Sequence, residues 1–208
     1  MITIKQNIDL AKEADKYDVL LVGTNVYNRL ANGWQLEAKL LFPLIHKSNV
    51  ETQYGDVRKL GKMISVPQSN GQEVCLLYIT KGHNFRPDLQ KDYLEYAALE
   101  ECLHRVNVFY KGKRIACPIL GSSPFDGNGD KERILHMMEE TLTDVDVTLY
   151  DYVQISGEDK KLELIKGIMD AKTLAKETHD KSLYYQRVRE KKEYYKKLKS
   201  INNLNYFK

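Results

Sequence analysis

The chain has 208 residues, 42% hydrophobic and 29% charged, with a formal net charge of +3. That balance is enough for a globular core and suits one large domain, or one domain with an appendage. No apolar run reaches the roughly 20 residues of a membrane span, and the opening MITIKQNIDL lacks the basic-then-apolar pattern of a secretory signal.

Cys75, Cys102 and Cys117 are widely spaced, and none sits in a CxxC or a Cys/His cluster. Neither a disulfide framework nor a zinc site is indicated, no cofactor is implied, and a reducing cytoplasm fits. The charge is uneven. Residues 158–208 hold 14 Lys and Arg against 8 Asp and Glu, net +6; residues 1–157 hold 18 against 21, net −3. A mildly acidic front has no electrostatic footprint for nucleic acid, and only the tail is basic.

Ile2 to Lys5 alternates and opens as a strand, and Asp9 to Lys16 reads as a helical turn or loop. Asp18-Val-Leu-Leu-Val-Gly23 is a compact apolar run, a buried strand of a mostly parallel sheet. Trp34 to Phe42 carries Leu36, Leu40 and Leu41 on a helical face, and Pro43 stops or kinks it. Met63 to Val66 and Val74 to Ile79 flank the turn Gln68-Ser-Asn-Gly71 and predict an antiparallel pair. Pro87 starts a long helix with Leu89, Tyr93, Leu94, Ala97 and Leu103 on its inner face. Arg114 to Cys117 is a strand that ends at Pro118 and runs into a loop of Gly, Ser, Pro, Asp and Asn. From Asp130 a helix follows, and Val145 to Tyr150 is a final strand. Strands alternating with helices imply an α/β sandwich with helices on both faces, its functional loops beyond the strand ends. From Glu158 the chain turns into a Lys-, Glu-, Leu- and Tyr-rich stretch that reads as one or two helices.

Several strand ends and loops carry groups able to do chemistry: Asn25, Lys81 with His83, and the loop Gly121 to Gly129 with Asp126 inside it. Gly33 and Trp34 add a helix start. Glycines let a backbone approach an anion closely, and a loop entering a helix can present N–H groups to it. One lysine, one carboxylate, one amide and a backbone anion cradle suit a phosphate-bearing sugar. Each residue also has an ordinary role. Asn25 is a turn residue bonding its own backbone, Lys81 a solvated strand end, Asp126 a turn signal, and Trp34 a core anchor.

Taken in order, these pieces resemble the macrodomain family of ADP-ribose-binding modules over roughly Met1 to Tyr152. The likeness rests on Val19-Leu-Leu-Val-Gly-Thr-Asn25, on Leu30-Ala-Asn-Gly-Trp-Gln-Leu-Glu-Ala-Lys-Leu-Leu-Phe-Pro43, and on Leu60-Gly-Lys-Met63. Leu76-Leu-Tyr-Ile-Thr-Lys81, Ile115-Ala-Cys-Pro-Ile-Leu-Gly121 and the helix around Met138-Glu-Glu-Thr-Leu142 continue it. It is most similar to the branch with terminal ADP-ribose protein glycohydrolase and ADP-ribose 1''-phosphate phosphatase. There are departures. The helix-start loop has the single glycine Gly33 where relatives carry more. The second loop is one residue longer than usual, and the acidic residue that grips adenine would fall at Asn7, with Asp9 two residues on.

The resemblance implies a three-layer α/β/α fold with a mixed sheet over residues 1–155; the tail has no counterpart in the family, and its own composition reads as a basic, Tyr-rich helical extension over 156–208. The resemblance implies Lys81 and Asp126 as the catalytic pair. The amine would attack the anomeric carbon of the distal ribose, forming a Schiff base with the opened sugar, and the carboxylate would move protons. The ligand would meet Asn7, Asp9, Asn25, Gly33, Trp34, Gly121, Ser122, Ser123, Phe125 and Gly127. Asn25 would bond the distal ribose hydroxyls, and the amides of Gly121 to Gly127 would hold the diphosphate. The partner is ADP-ribose or a derivative of it, including ADP-ribosylated protein. A non-catalytic reader of ADP-ribose, or a protein binding nucleic acid or a partner through the tail, are the competing readings.

Overall fold

Alternation along two central strands decides the architecture. In β2 (Val19–Asn25), Val19 and Leu21 belong to one buried cluster, Leu20 and Val22 to another. In β4 (Glu73–Thr80), Cys75, Leu77 and Ile79 join the first cluster, Val74 and Leu76 the second. Successive side chains on a strand point to opposite faces, so both faces of this sheet are covered. The computed structural model describes residues 1–6, 10–31, 33–82, 93–124, 127–151, 185 and 189. The chain divides into two units, Met1–Tyr152 and Val153–Lys208, and the named strands and helices all lie in the first.

Among the described residues the sheet has six strands in the order β1-β6-β5-β2-β4-β3. The others are β1 (Ile2–Gln6), β3 (Met63–Pro67), β5 (Arg114–Pro118) and β6 (Asp146–Asp151). Every pairing is parallel except β3 with β4, which is the expected antiparallel pair. Helices α1 (Leu10–Glu13), α2 (Gly33–Leu41) and α3 (Pro43–Val50) cover one face through Leu10, Trp34, Ala38 and Ile45. Helices α4 (Tyr96–Phe109) and α5 (Lys131–Thr141) cover the other through Leu99, Cys102, Leu103, Val106, Ile134 and Met138. This is a three-layer α/β/α sandwich on a mixed sheet. Among the described residues, no helix is long and apolar enough to cross a membrane.

Local chemistry places the helix ends. Pro43 stops α2 and opens α3, where its missing N–H has no partner to lose. Asp130 caps α5, its Oδ1 accepting from the Arg133 amide at 2.7 Å. The helix expected from Pro87 needs correcting. Residues 83–92 lie outside the described residues, and α4 starts only at Tyr96. Before it, Leu94 pairs antiparallel with Thr80 at the end of β4. Ala97 is exposed, and the inner face is Ala98, Leu99, Cys102, Leu103 and Val106. Apart from Tyr185 and Arg189, the stretch expected as a helical extension lies outside the described residues.

Candidate functional site

The parallel strands all end at the same edge of the sheet, and the predicted site residues follow those ends in the chain. Asn7 and Asp9 follow β1, Lys81 follows β4, and Gly121 to Gly127 follow β5; Asn25 is the last residue of β2. Asn7, Asp9, His83, Phe125 and Asp126 lie outside the described residues.

The edge opens between β2 and β5. Their register covers only Val19↔Ile115 and Leu20↔Ala116. Beyond that point the Leu21 carbonyl accepts from Trp34 Nε1, and the Gly23 carbonyl from Gln35 Nε2, both at 2.8 Å. Strand order also reverses here. From β2 the chain passes to β3 and β4 on one side, then returns through α4 to β5 on the other. In open α/β sheets a crevice of this kind, outside the carboxyl ends of the strands, is where ligands bind.

Backbone hydrogen bonds join Lys81 to the glycine loop. The Lys81 amide donates to the Tyr93 carbonyl at 3.0 Å, and the Tyr93 and Leu94 amides both donate to the Gly127 carbonyl, at 2.8 and 3.1 Å. The strand end carrying the candidate nucleophile is thus two backbone links from the residue after Asp126. The loop closes on itself: Asn128 donates to the Ser123 carbonyl at 2.9 Å and Gly129 to the Gly121 carbonyl at 3.0 Å. Ser122 turns inward, its Oγ donating to the Ile119 carbonyl at 2.7 Å. Gly121 adopts φ +78°, and its α-carbon faces the Leu94 side chain too closely for a larger residue. Internal packing is therefore one reason for the glycines, alongside any approach to a ligand.

Two predicted ligand contacts have other observed roles. The Trp34 ring is 4% exposed, packs 5.4 Å from the Tyr150 ring and is hydrogen-bonded to β2. It is packed as a core anchor, the ordinary role expected of a tryptophan there. The Asn25 side chain, 1% exposed, accepts from the Tyr27 and Arg29 amides at 3.1 and 3.2 Å. Its Nδ2 donates to the Arg29 carbonyl at 2.9 Å. It shapes the loop after β2, the turn chemistry expected of an asparagine there. Gly33 opens α2 with φ +38°.

Two features escaped the sequence reading. Glu95 Oε1 lies 2.6 Å from Lys81 Nζ, with both side chains partly exposed. Behind the loop after β2, Lys59 is 7% exposed and bonded to Asn28 Oδ1 and to Thr52 Oγ1 at 3.2 Å. Its ammonium stands 4.8 Å from the Tyr78 ring centre, and the Tyr78 hydroxyl donates to Asn49 Oδ1 at 2.7 Å. Burial pushes the Lys59 pKa down, with the Asp56 carboxylate opposing it. Asn28, at φ +56°, ties this cluster to the loop. A lysine between Arg58 and Leu60 has no local signal of burial. The three cysteines are fully buried, and burial raises the thiols of Cys75 and Cys102 to about 12 and that of Cys117 further. Thiolate chemistry at neutral pH is therefore not theirs.

Solved structures share this architecture. The macrodomain of Thermus aquaticus DarG aligns with a TM-score of 0.53 at 17% identity, over 72% of this chain and 99% of that one. The macrodomain of Mycobacterium tuberculosis DarG gives 0.53 at 21% identity, over 72% and 97%. The fold is macrodomain-like. Thermosipho africanus DarTG, solved in complex with ADP-ribose, aligns at 0.53 and 17% identity, over 71% of this chain and 41% of that one. No protein-family model and no curated protein matches the chain. The macrodomain-like unit spans the strands on either side of the β2–β5 opening, and Lys81 and the glycine loop follow β4 and β5 in the chain.

Proposed function

We propose that this protein binds ADP-ribose derivatives at the β2–β5 crevice and hydrolyses them at the distal ribose, with Lys81 and Asp126 as the catalytic pair. Residues 1–155 form the binding and catalytic domain, and residues 156–208 are a basic appendage to it. The observation that carries this reading is the backbone chain from Lys81 through Tyr93 to Gly127, which ties the candidate nucleophile to the candidate phosphate loop. The fold shared with DarTG, a protein solved with ADP-ribose, supports the ligand class.

Two substrates have a scissile bond at that position: ADP-ribose attached to a protein, and ADP-ribose 1''-phosphate. In the first, the Lys81 amine attacks the anomeric carbon while Asp126 gives a proton to the leaving group and later takes one from water. In the second, Asp126 serves water or the leaving group, and Lys81 neutralises phosphate charge. Backbone donors of the glycine loop hold the diphosphate, which lets a mildly acidic domain bind an anion.

Calorimetric titration with ADP-ribose, followed by turnover of both substrates, tests the reading. Lys81→Ala and Asp126→Ala are expected to keep ADP-ribose binding within about threefold and to lose turnover by the 10²–10⁴ typical of a positioned proton-transfer or nucleophilic group. No binding at millimolar ADP-ribose, or wild-type turnover in both variants, overturns it.

A further inference from the structure

Residues 93–95 run antiparallel beside the end of β4. Thr80 pairs with Leu94, the Lys81 amide donates to the Tyr93 carbonyl, and the Glu95 amide donates to the Ile79 carbonyl at 2.9 Å. Opposed residues of such a pair share a face, so Lys81 and Glu95 are diagonal neighbours, a spacing that long side chains can bridge. They do bridge it: Nζ and Oε1 are 2.6 Å apart.

Glu95 also occupies the N-cap position of α4. The short polar side chains favoured there accept a hydrogen bond from the first turn of the helix; the longer Glu95 makes no such bond. Its carboxylate is directed to the lysine instead. Local helix chemistry does not account for that choice, and an exposed ion pair adds little to stability. A group that holds the lysine nitrogen at a defined point and lies within reach of its proton does account for it. The carboxylate favours the ammonium in the resting protein, and an ammonium has no lone pair with which to attack until that proton is passed on.

We propose that Glu95 is the positioning residue for Lys81, holding its nitrogen at the end of β4 and taking the proton that must leave before attack. This rests on the hydrolase reading above. The Lys81 ammonium passes a proton to the Glu95 carboxylate. The freed lone pair forms the N–C1'' bond while the C1''–O bond to the leaving group breaks with its electron pair. The departing oxygen takes a proton from Asp126. Water then gives one proton back to Asp126 as its oxygen bonds to C1'' and the N–C1'' bond breaks with its electron pair going to nitrogen, and the released amine recovers its proton from Glu95. The sum is addition of one water across the C1''–O bond.

The test uses the full chain with Glu95→Gln, which keeps shape without charge, and Glu95→Ser, which supplies a better N-cap but no carboxylate. Both are expected to bind ADP-ribose within about threefold of wild type and to keep KM within the same range. Both should lose at least tenfold in kcat on mono-ADP-ribosylated protein, and Glu95→Ser should melt no lower than wild type. A purely structural role predicts the reverse, with Glu95→Ser fully active. If Lys81→Ala is inactive while both Glu95 variants turn over normally, the role of Glu95 is overturned and the hydrolase reading stands. If wild type shows no turnover, or Lys81→Ala matches it, the reading and the inference fall together.

Discussion

A β-carbon on Gly121 would lie 2.6 Å from Cδ1 of Leu94. Leu94 is 5% exposed and sits on the segment that pairs with the end of β4, so the glycine loop lies close against the segment beside the strand end that leads to Lys81. Gly121→Ala therefore meets two penalties, the positive φ and the clash. Gly71 separates them, since it has φ +82° with nothing within 4 Å. Gly71→Ala should lose about 1–2 kcal/mol from backbone strain alone. Gly121→Ala should lose a further ~1–3 kcal/mol from overpacking, together with at least tenfold in ADP-ribose affinity. Denaturant unfolding and calorimetry read both, and equal losses in the two variants would show that the Leu94 contact carries no weight.

The position of Trp34 makes a different demand. Its indole nitrogen serves the Leu21 carbonyl, and its ring is packed against Tyr150. Trp34→Phe keeps an aromatic ring but leaves that carbonyl without its donor, which should cost about 1–3 kcal/mol of stability. ADP-ribose affinity should stay within about twofold. A tenfold loss of affinity with unchanged stability would instead identify the indole as a ligand platform.

The strands were legible because burial on both faces leaves continuous apolar runs: Val19 to Val22 and Val74 to Ile79 admit few other readings. Helix boundaries were legible where a residue has one strong local use, as with Pro43, read as the stop of α2, and Asp130, read as the start of α5. The stretch before α4 misled because Leu89, Tyr93, Leu94 and Ala97 fit a helical period, while Leu94 is buried by pairing with β4 and by the glycine loop. Local pattern cannot see a strand partner that lies about a dozen residues away along the chain. Glu95 was hidden for the same reason, since it meets Lys81 only once that segment is extended. Lys59 shows the other limit. Its neighbours Asn28, Thr52 and Tyr78 come from separate elements, and nothing next to it in the chain marks it as buried.

Lys59 also supplies a prediction in pH. Burial lowers its pKa in the folded protein below the ordinary 10.5, against which the Asp56 carboxylate acts in the other direction. The unfolded chain therefore holds the lysine proton at alkaline pH values where the folded protein has begun to release it. Stability rises with pH wherever the unfolded state binds more protons, so the contribution of Lys59 should grow as pH climbs toward 10.5. Burial raises the Tyr78 phenol, which delays the phenolate that would otherwise hold the ammonium in place. Lys59→Met removes the titrating group and keeps much of the volume. The unfolding free energy of wild type minus that of Lys59→Met, followed from pH 8 to 10.5, is expected to increase steadily. A flat or falling difference would mean that the Asn28, Thr52 and Tyr78 contacts stabilise the ammonium as well as water does, and that the loop after β2 is not held by a strained charge.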